Sequence, residues 1–403
     1  MNGLKLIVFL CILIFPMCAV FIPKNSPVNK PIKSLGVKER YVTLNNRSVF
    51  LVGQMDSQFA TERSISEIAG IFDIMMVPYG MNLLIGDLGI INWGAWNNLR
   101  NVQRGIEKKL HVFNYPWKRC GSGETTFGGP RFDLEQFDTD YFERLIGILK
   151  LANKRGIVPV VGIFSEHGID HPLHWKGHPF HPENNINCLG LPDNKAIPEY
   201  FENKKALEYQ EKYVRKLLDA LSDVYYILSP FGEVNHAPDK YIEHWLRIIG
   251  EYKKSGRDNL LVCLSGRSEI LDRFALHPVI DLIDIYCYHK GRYDEPEYNV
   301  PDGSAGILST LEEAWTKYQK PAGKLYFKYG YPYHDPASPW ADPQTGTDGG
   351  GPASAAMDAM YAVYEGGGFG IFFKMAWGRD RGQYMKPDRW SEDIREFMYR
   401  GHK

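Results

Sequence analysis

A (β/α)8 barrel with a short N-terminal hairpin and long βα-loop insertions is the fold class this sequence predicts, on three observations. Eight short apolar stretches recur along the chain: VFLVG at 49, MNLLIG at 81, VPVVGIF at 158, VYYIL at 224, NLLVCL at 259, IDLIDIYCY at 280, KLYFKYG at 324 and GIFFKMAW at 370. Most are near-continuous apolar runs, the pattern of parallel strands covered on both faces. Helical periodicity separates most of them. The competing doubly wound sheet needs a Gly-rich phosphate turn after its first strand, and LVGQMDSQFA supplies none.

The elements follow in order. Residues 1–22 carry one early Lys and then an unbroken apolar run from Leu6 to Ile22, a secretion signal or an uncleaved anchor. Residues 23–38, rich in Pro, Lys, Asn and Ser, read as a flexible tether. The single barrel domain is assigned to 39–403. It opens with YVTLNNRSVFLVG, two short strands around an Asn-Asn turn. Ser64 and Glu67 form a capping box ahead of IAGIFDIMM. DTDYFERLIGILKLANKRG is helical and stops at Gly156; ALEYQEKYVRKLLDALSD precedes the fourth stretch, and PDKYIEHWLRIIGEYKKSG follows it. ASAAMDAMYAVYEGG leads into the eighth. No internal repeat and no second domain is evident.

Composition narrows the function. Lys plus Arg (47) nearly balances Asp plus Glu (48), so no basic excess points to nucleic acid or an anionic membrane surface. Membrane attachment enters only through an uncleaved N-terminal segment. The expected location is secreted, periplasmic or cell-surface. Beyond Cys11 and Cys18 in the leader, Cys120, Cys188, Cys263 and Cys287 show no CxxC spacing, which argues against a zinc knuckle. Cys120 and Cys188 lie in loops and are a candidate disulfide pair; Cys263 and Cys287 sit on core strands and read as buried thiols.

In such a barrel the active site lies at the C-terminal strand ends. Polar, aromatic and ionisable residues follow all eight stretches. In order they are Gln54, Asp56 and Ser57; Asp87; SEHGIDHPLHWKGHPFHP; SPFGEVNH; SGRSE; Tyr286, Tyr288 and His289; Lys328 and Tyr329; and Trp377. Five histidines, His167, His171, His174, His178 and His181, crowd the third loop. Prolines 172, 179 and 182 exclude a regular helix that would align them, and no HExxH motif is present, so a cleft-lining, hydrogen-bonding role is expected and no metal or cofactor. Trp117, Trp175 and Trp377 are candidates for stacking on sugar rings.

These segments resemble the clan A, cellulase-like glycoside hydrolases. VTLNNRSVFLVG is similar to their opening hairpin, HPFHPENNINCLG resembles an active-site loop, and VYYILSPFGEVNH resembles a fourth strand ending in the acid/base, with Asn soon after. The resemblance implies Glu233 as acid/base, with Asn235, His236, His167, Asp56, Tyr288, His289, Tyr329, Trp117 and Trp377 around a carbohydrate. It also implies a Glu at the end of the seventh strand. KPAGKLYFKYG matches that context, but Lys328 stands where the Glu is expected.

Period-two alternation turns Tyr326 and Lys328 to one face, the barrel mouth, and Leu325 and Phe327 to the other. An ammonium cannot replace the nucleophilic carboxylate, and near Glu233 it would favour the ionised base over the resting acid. Four readings remain. Another carboxylate serves, Glu166 being best placed among Asp56, Asp87, Glu269 and Asp335. Lys328 contacts an acidic or sulfated substituent. Lys328 acts as the base or Schiff-base nucleophile of a lyase or aldolase. Or the site binds carbohydrate without cleaving it.

Overall fold

The structure is a computed structural model that describes residues 30–55, 64–87, 115–126, 128–165, 167–170, 172–194, 196–232, 236–266, 268–285, 303–327 and 360–373. Strands β1 (Leu35–Lys38), β2 (Tyr41–Leu44) and β3 (Arg47–Val49) form a small antiparallel sheet. Asn45 and Asn46 make its β2–β3 turn with φ of 52° and 62°, the left-handed conformation that Asn tolerates better than most residues.

The barrel follows. β4 (Leu51–Met55) and β5 (Leu83–Asp87) are its first two strands. A two-stranded excursion, β6 (Trp117–Glu124) and β7 (Pro130–Phe137), precedes the third. The remaining strands are β8 (Val158–Ser165), β9 (Tyr226–Gly232), β10 (Leu260–Ser265), β11 (Leu282–Asp284), β12 (Ala322–Phe327) and β13 (Gly370–Phe373). β4, β5 and β8–β13 pair in parallel, and β13 returns to β4 to close the barrel. These eight strands fall on the eight predicted stretches. The first prediction straddles two elements, because Val49 ends β3 and the barrel strand begins at Leu51.

Alternation sorts the strand residues into two cores. Leu51, Leu83, Ile85, Val158, Val160, Ile227, Leu261, Cys263 and Leu282 fill the interior. Val52, Leu84, Val161, Leu228, Val262, Leu264, Ile283 and Ile371 face outward into the core shared with the helices. Both sets are apolar, which is why the strands read as continuous apolar runs.

The helices obey the local signals in the sequence. Ser64 and Glu67 make the reciprocal capping box: Glu67 N–H donates to Ser64 Oγ at 3.2 Å, and Ser64 N–H donates to the Glu67 carboxylate at 2.8 Å. That helix, Ile65–Ile71, continues as a π turn at Phe72–Met76 and a 3-10 turn at Val77–Tyr79, and stops at Gly80 with φ of 77°. Asp138 caps the helix Thr139–Lys154, and Asn203 caps Lys204–Ala220. Asn82, buried between Phe50 and β5, joins the first two barrel strands: its Oδ1 accepts from Val52 N–H at 2.9 Å and its Nδ2 donates to Phe50 O at 3.0 Å.

The expected tether ends earlier than its composition suggests. Leu35–Lys38 is strand β1, and Ile32 and Leu35 join Val42, Leu44 and Val49 in the interior cluster. The small sheet thereby covers the N-terminal end of the barrel. Ile32 N–H donates to Asn153 O at 2.9 Å, and the Tyr225 hydroxyl donates to Lys33 O at 2.6 Å. Burying two aliphatic side chains outweighs the flexibility favoured by the surrounding Lys, Asn and Pro. Among the described residues, no helix is long and apolar enough to cross a membrane; the N-terminal segment 1–29 lies outside them.

Candidate active site

The barrel interior changes character along its axis. Toward the N-terminal end it is aliphatic. Toward the C-terminal end the buried positions become Ser229, Ser265 and Asp284. Ser265 and Asp284 are register partners across β10 and β11, and Ser265 Oγ donates to Asp284 Oδ2 at 2.8 Å. Asp284 is 0 % exposed. A buried carboxylate costs several kcal/mol unless it is well bonded, so its place at the C-terminal end of the barrel is informative. The Cys263 thiol one layer below is pushed well up, by burial first and then by the nearby carboxylates Asp284 and Asp281. Cys263 is the buried thiol its strand context predicts.

The strand ends frame the candidates. β4 ends at Met55, one residue before Asp56; β8 ends at Ser165, before Glu166; β9 ends at Gly232, before Glu233 and Asn235; β12 ends at Phe327, before Lys328 and Tyr329. Ser165 and Gly232 are the last registered pair of β8 and β9. Asp56, Glu166, Glu233, Asn235, Tyr288, His289, Lys328, Tyr329 and Trp377 themselves lie outside the described residues, as do Cys287 and Asp335. His167 begins the short helix His167–Asp170 directly beyond the β8 end. His236 is exposed. Glu269 is exposed in the first turn of the helix Ser268–Phe274.

Two expected sugar-stacking residues are core residues instead. Trp117 is 1 % exposed, with its ring 5.2 Å from Phe180 and 5.3 Å from Tyr213, and presents no free face. Trp175 is equally buried and donates from Nε1 to Pro192 O at 2.7 Å.

The loop that follows β8 is a packed wall rather than an open, cleft-lining array of side chains. His174, His178 and His181 are all buried. His178 Nδ1 accepts from Phe180 N–H at 3.0 Å, and His181 Nδ1 accepts from Glu183 N–H at 3.2 Å. Burial lowers the pKa of both; the nearby His181 lowers His178 further. Asn184 pins the loop. Its Nδ2 donates to Lys176 O at 2.8 Å and His178 O at 2.9 Å, while its Oδ1 accepts from Thr126 N–H at 2.9 Å. Asn185 does the same for Pro179 O and His181 O, and Asn187 Oδ1 accepts from Leu134 N–H. The Nδ1 partners of His178 and His181 are backbone N–H groups of the loop itself, not groups across a cleft.

Cys120 and Cys188 are exposed free thiols. Strand β7 lies between the segments that carry them: Phe132 registers with Arg119 of β6 on one side and bridges Asn185 on the other. The two segments nonetheless approach closely, since a Cβ on Gly121 would lie 2.5 Å from Ile186 Cγ2. Loop composition suggested the pair; in the structure both thiols are free.

Ser265 was noted only as the start of SGRSE, and Asp284 went unremarked in the sequence, although a signal was there. In DLID, Asp284 shares the face of Leu282 by alternation, and a carboxylate on an inward barrel position stands out once that face is known.

Similar folds are found among solved glycoside hydrolases. A glycoside hydrolase from Bacteroides vulgatus ATCC 8482 superposes with a TM-score of 0.53 at 12% identity, over 91% of this chain and 58% of that one. The endo-1,4-β-mannanase of Rhizomucor miehei gives 0.53 at 11% identity, over 90% and 99%. The endo-β-1,4-mannanase of Thermotoga petrophila gives 0.51 at 14%, over 88% and 77%. The chain spans about three fifths of the length of the Bacteroides proteins it matches. At these identities the likeness establishes the barrel fold. No curated protein matches the chain. Residues 107–308, half of the chain and the stretch from before β6 to the helix Gly303–Tyr318, match the domain of unknown function DUF6298, and the chain belongs to that family.

Proposed function

We propose that this barrel cleaves a glycosidic bond in a poly- or oligosaccharide at its C-terminal mouth, with Glu233 as the acid/base. One observation carries the reading. Four barrel strands, β4, β8, β9 and β12, end one residue before Asp56, Glu166, Glu233 and Lys328. Ionisable residues at C-terminal strand ends are where barrel enzymes hold their chemistry.

Glycoside hydrolysis needs two carboxyl groups flanking the scissile bond, about 5 Å apart for retention and about 6.5–9.5 Å apart for inversion. The pairing of Ser165 with Gly232 supports Glu166 as the second. The residues before Glu166 and Glu233 are register partners on neighbouring strands, which lie about 4.8 Å apart. Glu233 protonates the leaving oxygen, and Glu166 activates water or attacks the anomeric carbon. Lys328, following β12, pairs with a uronate or sulfate on the substrate. The ammonium also favours ionised Glu233, so an anionic substrate that neutralises Lys328 restores the protonated acid.

Two solved neighbours are endo-1,4-β-mannanases, which makes β-1,4-mannan the first glycan to test, beside uronate-bearing and sulfated polymers. New reducing ends should appear with wild type and vanish in Glu233→Gln. Full turnover in that variant overturns the assignment. A specific observation favours a second reading: Lys328 stands where the family resemblance expects the second carboxylate. On that reading the barrel binds glycan without cleaving it, and calorimetry would detect affinity with no reducing ends.

A further inference from the structure

We propose that segment 172–194, the wall beside the candidate site, is an acid-released element whose docking requires His178 and His181 to be neutral. Each ring uses Nδ1 as an acceptor, His178 from Phe180 N–H at 3.0 Å and His181 from Glu183 N–H at 3.2 Å. A nitrogen that accepts carries no proton. His181 Nε2 lies 3.0 Å from Asp193 O and therefore carries the one proton of the neutral ring. A second proton on either Nδ1 would set N–H against N–H inside a closed turn.

The surroundings do not welcome the charge. The His178 ring is enclosed by Trp175 at 5.1 Å, Phe180 at 5.4 Å and Tyr200 at 5.6 Å. The groups that face the pair are His178 and His181 themselves and Lys176, which oppose protonation, and Glu183 and Asp193, which favour it at His181. His174 and Tyr200 are buried in the same region, and among the described residues the Tyr115 hydroxyl donates to Gly177 O, Lys205 Nζ donates to Asn187 O, and Asn187 Nδ2 donates to Asp133 and Tyr209. Glu183 is exposed, so its attraction is screened by solvent.

The turns at stake hold the wall together. His181 N–H donates to His178 O at 3.0 Å, and Asn184 N–H donates to His181 O at 2.9 Å. Asn184 in turn ties the segment to Thr126 beside β7. The segment lies outside the eight-strand ladder, so its release breaks none of the ladder's hydrogen bonds, although it uncovers Trp175 and Phe180 from the core shared with the helices. Release would unseat the residues that follow Glu166 and couple the site to pH on the acid side of neutrality. This inference stands whatever the substrate is.

Hydrogen exchange on the full chain from pH 7 to 4.5, corrected for the intrinsic rate, tests it. Peptides within 172–194 should lose protection below the ordinary imidazole pKa of about 6.5, while those of β8, β9 and β10 keep theirs. Two coupled protons raise the opening constant about a hundredfold per pH unit. In His178→Phe/His181→Gln the step should vanish, with the segment docked or open at every pH. Single substitutions should halve the slope. The inference is overturned if wild-type protection persists to pH 4.5, if segment and barrel lose protection together, or if the step survives in the double variant.

Discussion

Replacing Asn184 by Ala should free the wall from the hairpin without disturbing the barrel ladder. The magnitude follows from the bonds removed. Nδ2 donates to Lys176 O and His178 O, and Oδ1 accepts from Thr126 N–H. The Thr126 hydroxyl also lies 3.1 Å from Oδ1, but it is only 2.6 Å from Lys176 O, so its single proton goes there and the contact adds little. Three bonds at about 1 kcal/mol each, plus the cost of leaving buried carbonyls unpaired, give about 3–4 kcal/mol. Asn184 is buried, so water replaces these partners poorly. Native-state hydrogen exchange at pH 7.5, where the histidines are neutral, should report an opening constant for 172–194 raised several hundredfold. Thr126→Val, which keeps the Thr126 N–H bond, should cost about 1 kcal/mol. A change below about 1 kcal/mol for Asn184→Ala would refute the view that this side chain holds the wall.

Three further outcomes are expected. Gly53→Ala should sharply reduce stability, read by thermal denaturation, because a Cβ there would fall on the Leu83 carbonyl across β4 and β5; overpacking of this kind costs about 1–3 kcal/mol or more, and a wild-type melting temperature would contradict the close strand approach. Alkylation of the native protein followed by peptide mapping should label Cys120 and Cys188 and spare Cys263 until unfolding; a Cys120–Cys188 disulfide in the same map would contradict the free thiols of the structure. Ser265→Ala should destabilise by about 1–3 kcal/mol in urea titration, since it removes a buried hydrogen-bond donor from the Asp284 carboxylate; a neutral effect would mean that this donor is dispensable to Asp284.

The barrel was legible because its strands carry their signal locally. VPVVGIF and NLLVCL are apolar on both faces, and each lies between helices whose ends are marked by Asp138, Gly156, Pro238 or Gly256. Ser64 and Glu67 formed the capping box their spacing predicts. β6 and β7 were not legible. WKRCGSGE has little alternation and two glycines, and its pairing carries register shifts that place Cys120 out of step. β7 follows closely, but the segment on its other side, 184–187, is distant in sequence.

The same non-local packing buried Trp117 and Trp175, which composition alone would place on a sugar. The third-loop histidines illustrate the limit well. Their crowding is visible in the sequence, but the partners of their nitrogens are backbone groups of turns that only the folded loop creates. Asp284 is the converse case. Its inward position follows from alternation once Leu282 is known to face the interior, and Ser265 becomes its partner only through the β10–β11 register.

Hydrolysis by wild type and Glu233→Gln, followed as new reducing ends on β-1,4-mannan and on uronate-bearing and sulfated glycans, tests the assignment of chemistry to the strand ends most directly. Turnover of at least one polymer by wild type, reduced at least a hundredfold in a Glu233→Gln protein that melts normally, is the predicted result. Turnover unchanged by the substitution, or no cleavage of any glycan by a folded wild-type chain, would contradict it.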